Sequence, residues 1–150
     1  GSLYSKKDCK MSGLIKQENM TFVKKSWGWE RWICNNELYC GKILFIEKGK
    51  HCSFHYHKLK SEVLFLESGK MLFNYSAGNF DLIKQIEMNS GDAYHVEPRF
   101  IHQMVALEDC TIIETSTQHF DSDSYRITSD LIDNKKTVLE YLKKSNDYSR

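Results

Sequence analysis

The feature that most constrains this sequence is a train of short β-branched and aromatic runs, broken by polar and glycine-bearing turns, from about residue 37 to residue 117. ELYCGKILFIE, HCSFHYH, EVLFLE, MLFNYS, FDLIKQIE, AYHVE, IHQMVALE and DCTIIETST follow one another at strand-like spacing. Connections this short suit antiparallel neighbours and leave no room for the crossover helices of a parallel sheet. The reading is an all-β single domain, a sandwich or barrel of eight or so strands.

The ends differ in character. Residues 3–20 are polar and aperiodic, which reads as an arm that needs a partner chain to lie against. After Arg126 the segment SDLIDNKKTVLEYLKKSN sets Leu131, Val138, Leu139 and Leu142 on one helical stripe, with Ser129 or Asp130 as cap and Lys143 and Lys144 near the C-terminal dipole. The expected organisation is an N-terminal arm over 1–23, a barrel over 24–127 and a C-terminal helix over 128–150 packed on the barrel.

Composition excludes several classes of partner. With 150 residues and 41% hydrophobic content the chain can bury a core without staples. A formal net charge of +1 with interspersed signs gives no field for a nucleic-acid backbone or an anionic membrane, and no apolar run approaches the ~18 residues of a membrane span. Five cysteines, none in a CxxC pair, read as free thiols in a reducing compartment, so the expected location is cytoplasmic.

Chemistry concentrates in one stretch. His55 and His57 are two apart in a strand and so share a face, and Glu62 opens the following strand across a KLKS loop. His102 begins a later strand, IHQMVA. A His-x-His pair also arises by chance on surfaces. Three imidazoles with one carboxylate, however, form a borderline-soft donor set that suits a divalent Zn, Fe, Mn, Ni or Co ion and leaves positions open for water or substrate.

The glycines around this stretch carry a resemblance. Gly49, His55, His57, Glu62 and Gly69 fit G-x5-H-x-H-x4-E-x6-G at every position, which resembles the first motif of the cupin superfamily. The second motif, G-x5-P-x-G-x2-H, is partly present from Gly91 to His102. The proline is displaced to Pro98, Arg99 stands at the second glycine, and Ala106 replaces an asparagine often found there. Within the superfamily the chain is similar to mannose-6-phosphate isomerase-like domains, through Lys25-Ser-Trp27-Gly28-Trp-Glu30, the run from Lys42 to Gly49, and Ile113-Glu114-TSTQHFDSDSYRI. The resemblance implies a double-stranded β-helix, the cupin jelly roll, commonly dimeric, with His55, His57, Glu62 and His102 around a divalent transition metal.

Three further residues enter as candidates. An inward Lys42 could meet a phosphate or enediolate oxygen, and the alternative is a solvated face of an edge strand. Glu114 or its neighbour Ile113 faces the cavity, and a carboxylate there could act as general base. Arg99 could bind an anionic substrate at the mouth, or be an exposed turn arginine. His95 and His119 read as structural. The expected activity is sugar-phosphate isomerase or epimerase chemistry on a small carbohydrate substrate in a homodimer. An Fe(II)-dependent dioxygenase and a non-catalytic small-molecule-binding cupin are the alternatives.

Overall fold

Alternating burial along each strand builds the architecture. In β3 (Cys40–Ile46) every second residue, Cys40, Lys42, Leu44 and Ile46, is buried, and the residues between them are half-buried. The structure, a computed structural model, describes residue 9, residues 11–76 and residues 83–127. Ahead of β3 lie β1 (Thr21–Lys25) and β2 (Gly28–Asn35). After it come β4 (His55–Tyr56), β5 (Glu62–Ser68), β6 (Lys70–Ser76), β7 (Lys84–Asn89), β8 (Ala93–Val96), β9 (Ile101–Ala106), β10 (Cys110–Ser116) and β11 (Tyr125–Arg126).

Two antiparallel sheets form the jelly roll, a six-stranded one in the order β1-β2-β3-β10-β5-β8 and a five-stranded one in the order β11-β4-β9-β6-β7. Between them Ile46, Leu66, Met71, Phe73, Cys110 and Ile112 make a fully buried apolar core. This core fills one part of the interior. The inward positions of the remainder carry Lys42, Glu62, His102 and Glu114 instead, all buried.

Several expectations are revised. β1 and β2 extend the first sheet ahead of residue 37, and β1 begins inside the span read as arm. β1 alternates between half-buried and exposed positions with Phe22 on the exposed side, and β2 is half-buried throughout, so neither carries the apolar-in, polar-out alternation that marks a strand in sequence. The run from His51 to His57 yields only the two-residue β4, with His51 joined to Val105 by a single bridge. Cys9 and Cys34 are not free thiols: the N-terminal segment folds back on β2, their Cα atoms lie 5.5 Å apart, and the pair is disulfide-bonded. Cys40, Cys52 and Cys110 are free and buried. The helix expected over 128–150 lies outside the described residues. No helix among the described residues is long and apolar enough to cross a membrane.

Candidate metal centre

His55 and His102 are direct partners across β4 and β9, so the sheet register itself sets two imidazoles side by side, with ring centroids 4.4 Å apart. His57, two residues on from His55, follows the period of the chain to the same side, 5.1 Å from His55. The donor nitrogens of His55, His57 and His102 all lie within 4.8 Å of one another. Tyr56, between the two, turns the other way and stacks on Tyr125.

The backbone fixes which nitrogen of each ring is available. Nδ1 of His55 lies 2.8 Å from the carbonyl of Ser53, that of His57 3.0 Å from the carbonyl of Asp123, and that of His102 2.9 Å from the carbonyl of Phe100. A carbonyl only accepts, so each Nδ1 carries the proton and donates it, which leaves Nε2 with a lone pair. Burial pushes His55 down to about 3 and His57 down to about 4, the neighbouring His102 and the Lys60 charge respectively adding to the effect. Both rings are therefore neutral at pH 7, the form a metal ion needs.

Glu62, at the start of β5, completes the group. Its Oε1 is 3.1 Å from His102 Nε2 and its Oε2 is 4.0 Å from His57 Nε2. Buried His102 Nε2 has no hydrogen-bond partner in satisfactory geometry, and Glu62 Oε2 has ion-pair contacts with Lys60 and His57 but no hydrogen bond in satisfactory geometry. With its Nδ1 turned to the Phe100 carbonyl, His102 sets Nε2 3.1 Å from a carboxylate oxygen, a contact that calls for a cation or a proton between them. The donor set, three imidazole nitrogens and one carboxylate, thus fits a divalent transition ion.

Next to this group lies a charged array. Lys60 is 3% exposed, and its Nζ lies 3.1 Å from Glu62 Oε2 and 3.1 Å from Glu114 Oε2. Burial alone would lower the Lys60 ammonium, but Glu114 and Glu62 hold it above its ordinary value. Burial alone would raise Glu62, but contact with His102 and the Lys60 charge keep it well below the usual carboxylate range. Glu114 goes the other way, pushed up by burial and by repulsion from Glu62. Lys60 sits in the KLKS loop, whose N–H groups at 58, 59 and 60 all donate to the Asp123 carboxylate at 2.9–3.2 Å.

These groups line a cavity of about 230 Å³ whose apolar lining includes Leu44, Leu64 and Met104. His55, His57, Glu62, His102, Lys42 and Glu114 all line it. Lys42 is thereby inward, which removes the alternative of a solvated edge-strand face, and Glu114 rather than Ile113 faces the cavity. Arg99 does not reach it. It is exposed at a turn, where its N–H donates to the carbonyl of His57 and its φ of 71° is the left-handed conformation a glycine would take. The altered second motif therefore keeps the backbone turn but points the new side chain elsewhere. Lys60, Glu30, Trp32 and His119 also line the cavity, and none was read as functional from sequence.

No family profile matches the sequence, and no curated protein matches it. Solved structures do. The capsular polysaccharide assembling protein CapF from Staphylococcus aureus aligns at a TM-score of 0.64 and 16% identity over 72% of this chain and 34% of that one. KdgF from Halomonas sp. aligns at 0.63 and 13% over 75% of this chain and 98% of that one. Oxalate decarboxylase from Bacillus subtilis aligns at 0.68 and 12% over 83% of this chain and 35% of that one. The chain thus spans about a third of the length of CapF and of oxalate decarboxylase. These likenesses place the chain in the cupin fold.

Proposed function

We propose that the protein is a metal-dependent cupin that acts on a small hydroxy-carbonyl compound of the sugar or sugar-phosphate class, by proton transfer of the isomerase or epimerase kind. The observation that carries this reading is the convergence of His55, His57 and His102 donor nitrogens within 4.8 Å, with Glu62 Oε1 3.1 Å from His102. The resemblance to mannose-6-phosphate isomerase-like domains supports the choice of chemistry.

His55, His57, Glu62 and His102 would hold the ion, which when bound supplies Lewis-acid polarisation of a carbonyl and its adjacent hydroxyl. Glu114 would be the residue that moves the proton. Its raised affinity for a proton brings it nearer to neutral pH than an ordinary carboxylate, the property a general acid–base group needs. Lys60, within 3.1 Å of both carboxylates, holds Glu114 Oε2 in place and keeps Glu62 ionised. Leu44, Leu64 and Met104 belong to the apolar part of the lining, so a ligand in the cavity displaces water from them. A volume of about 230 Å³ admits only a small substrate.

A homodimer is the assembly that accompanies this reading, supported by the outer face of the six-stranded sheet, where Phe22 packs at a tilt against Trp29 and Trp29 stacks on Phe45. Size-exclusion chromatography with light scattering reads it directly.

Elemental analysis of the purified protein comes first, and stoichiometric divalent metal is expected. Metal-loaded protein is then incubated with hexose and pentose phosphates in D₂O and solvent exchange at the carbon beside the carbonyl is followed by NMR. Exchange that disappears in Glu114→Gln supports the reading. Absence of exchange with every sugar and sugar phosphate by metal-replete protein overturns the isomerase chemistry, and Fe(II)-dependent O₂ consumption would replace it with an oxygenase.

A further inference from the structure

Two lysines are buried in this cavity, each 3% exposed, and they differ in what they touch. The Lys60 ammonium donates to Glu114 Oε2 at 3.1 Å, lies 3.4 Å from His119 Nδ1 and is ion-paired with Glu62 Oε2 at 3.1 Å. Protein groups meet its charge on every side that these contacts describe. Lys42, facing the same cavity from β3, has no acceptor in hydrogen-bond range among the described residues. The nearest carboxylate oxygen, Glu30 Oε1, is 3.6 Å away and already receives the Trp32 indole N–H at 2.9 Å. The Trp32 ring lies 4.1 Å from the ammonium. Ring and carboxylate offset the charge of Lys42 and leave its hydrogens unplaced. A desolvated ammonium with unused donors is costly unless something else accepts from it.

We propose that Lys42 seats a carboxylate of the ligand, so that the cavity takes a small hydroxy acid of carbohydrate type. The Proposed function contributes only the orientation, the carboxylate lying at Lys42 and the hydroxy-carbonyl end at the histidines. Charge selects the carboxylate. Lys25 and Lys42 share the single carboxylate of Glu30, at 3.9 Å and 3.6 Å, so this wall keeps one net positive charge, the complement of a monoanion. A phosphate monoester brings about −1.5 to −2 at neutral pH and would leave charge unmatched beside Glu30. Size agrees, since a cavity of about 230 Å³ lies at the small end of ligand pockets, which run from about 300 Å³ upward. Register supplies the alignment. Lys42 lies directly opposite Glu114, and Glu114 opposite Leu64, along one row across β3, β10 and β5. A carboxylate on Lys42 therefore extends the ligand past Glu114 toward Glu62 and His102.

The test is an NMR titration of metal-free and metal-loaded protein with glucuronate, glucose 6-phosphate and glucose, probes that share a ring and differ in the terminal group. Glucuronate is expected to bind about tenfold or more tightly than glucose. Lys42→Met should abolish that difference and Lys42→Arg should retain part of it. The preference should persist without metal, because Lys42 touches none of the histidines. Failure of the metal reading therefore leaves it intact. Equal affinity for glucuronate and glucose in both forms, tighter binding of glucose 6-phosphate than of glucuronate, or no binding of glucuronate would each overturn the proposal. If Lys42→Met does not fold, the wild-type comparison and Lys42→Arg still decide.

Discussion

The main-chain carbonyl of Asp123 lies 3.0 Å from Nδ1 of His57, a residue 66 positions earlier in the chain, and fixes that ring's tautomer. The same residue's buried carboxylate takes the N–H groups of Lys58, Leu59 and Lys60. One aspartate thus orients an imidazole at its main chain and the loop bearing Lys60 at its side chain.

Asp123→Ala should therefore act on the metal centre without removing a ligand. It orphans three loop N–H groups, and a cost of about 2–4 kcal/mol in stability is expected. Outer partners of metal ligands are typically worth about 10–100-fold in affinity. A chelator competition titration should show a loss of that size. Unchanged affinity would mean that the loop and the His57 ring are held by other contacts.

Lys60 should matter more to the metal-free protein than its place in a polar loop implies. Lys60→Met leaves Glu62 and Glu114 buried without their shared cation, and about 3–5 kcal/mol of destabilisation is expected from breaking such a group. Adding Glu114→Gln removes one of the stranded charges, so the double variant should be more stable than Lys60→Met alone. Urea denaturation of the four proteins closes the cycle, and strict additivity would show that the two side chains do not interact.

Much of the site was legible because it is local. His55, His57 and Glu62 fall within one strand, one loop and the start of the next, so a two-residue period and a glycine-framed spacing suffice to group them. The residues that were missed act across the chain. Lys60 lies in KLKS, a string that looks solvated, and only the approach of Glu114 from β10 explains its burial. Asp123 follows a polar stretch and meets His57 through tertiary structure alone. Cys9 and Cys34 are 25 positions apart, and nothing in their spacing marks them as a pair. Arg99 left two readings open in sequence, and the exposed turn arginine is the one that its left-handed backbone and exposed side chain match.

The two glycines that frame the first motif should differ in their tolerance of a side chain. Gly49 has a φ of 83° and open space where a Cβ would stand, so Gly49→Ala should cost only the left-handed backbone penalty, about 1–2 kcal/mol. Gly69, between β5 and β6, has a φ of 101°, and its Cβ would fall 2.3 Å from the carbonyl oxygen of Asp109. That oxygen belongs to the backbone and cannot swing aside, so Gly69→Ala must displace the turn before β10. Thermal denaturation should rank Gly69→Ala clearly below Gly49→Ala. Equal melting temperatures would mean that the β5–β6 turn moves freely.

Acid should destabilise the metal-free protein in a window set by its histidines. Burial holds His57 and His119 at about 4 and His55 at about 3, against 6.5 in an unfolded chain. A depressed value means that the unfolded state takes up the proton first. The stabilisation is complete above pH 6.5 and is lost as pH falls from there toward 4, by at most about 1.4 kcal/mol per pH unit for each ring. His55 is only half-buried and meets water through the cavity mouth, so its share is smaller. Glu114, raised by burial, works in the opposite sense, because the folded protein accepts its proton first as the pH drops. The Lys60 ammonium, held above its ordinary value by Glu114 and Glu62, stays charged across this range and does not alter the slope. His119→Gln removes a titrating ring that is not among the three converging histidines, so the fall in urea midpoint between pH 6.5 and 4 should become shallower in that variant. An unchanged slope would show that His119 is as readily protonated in the folded protein as in the unfolded one.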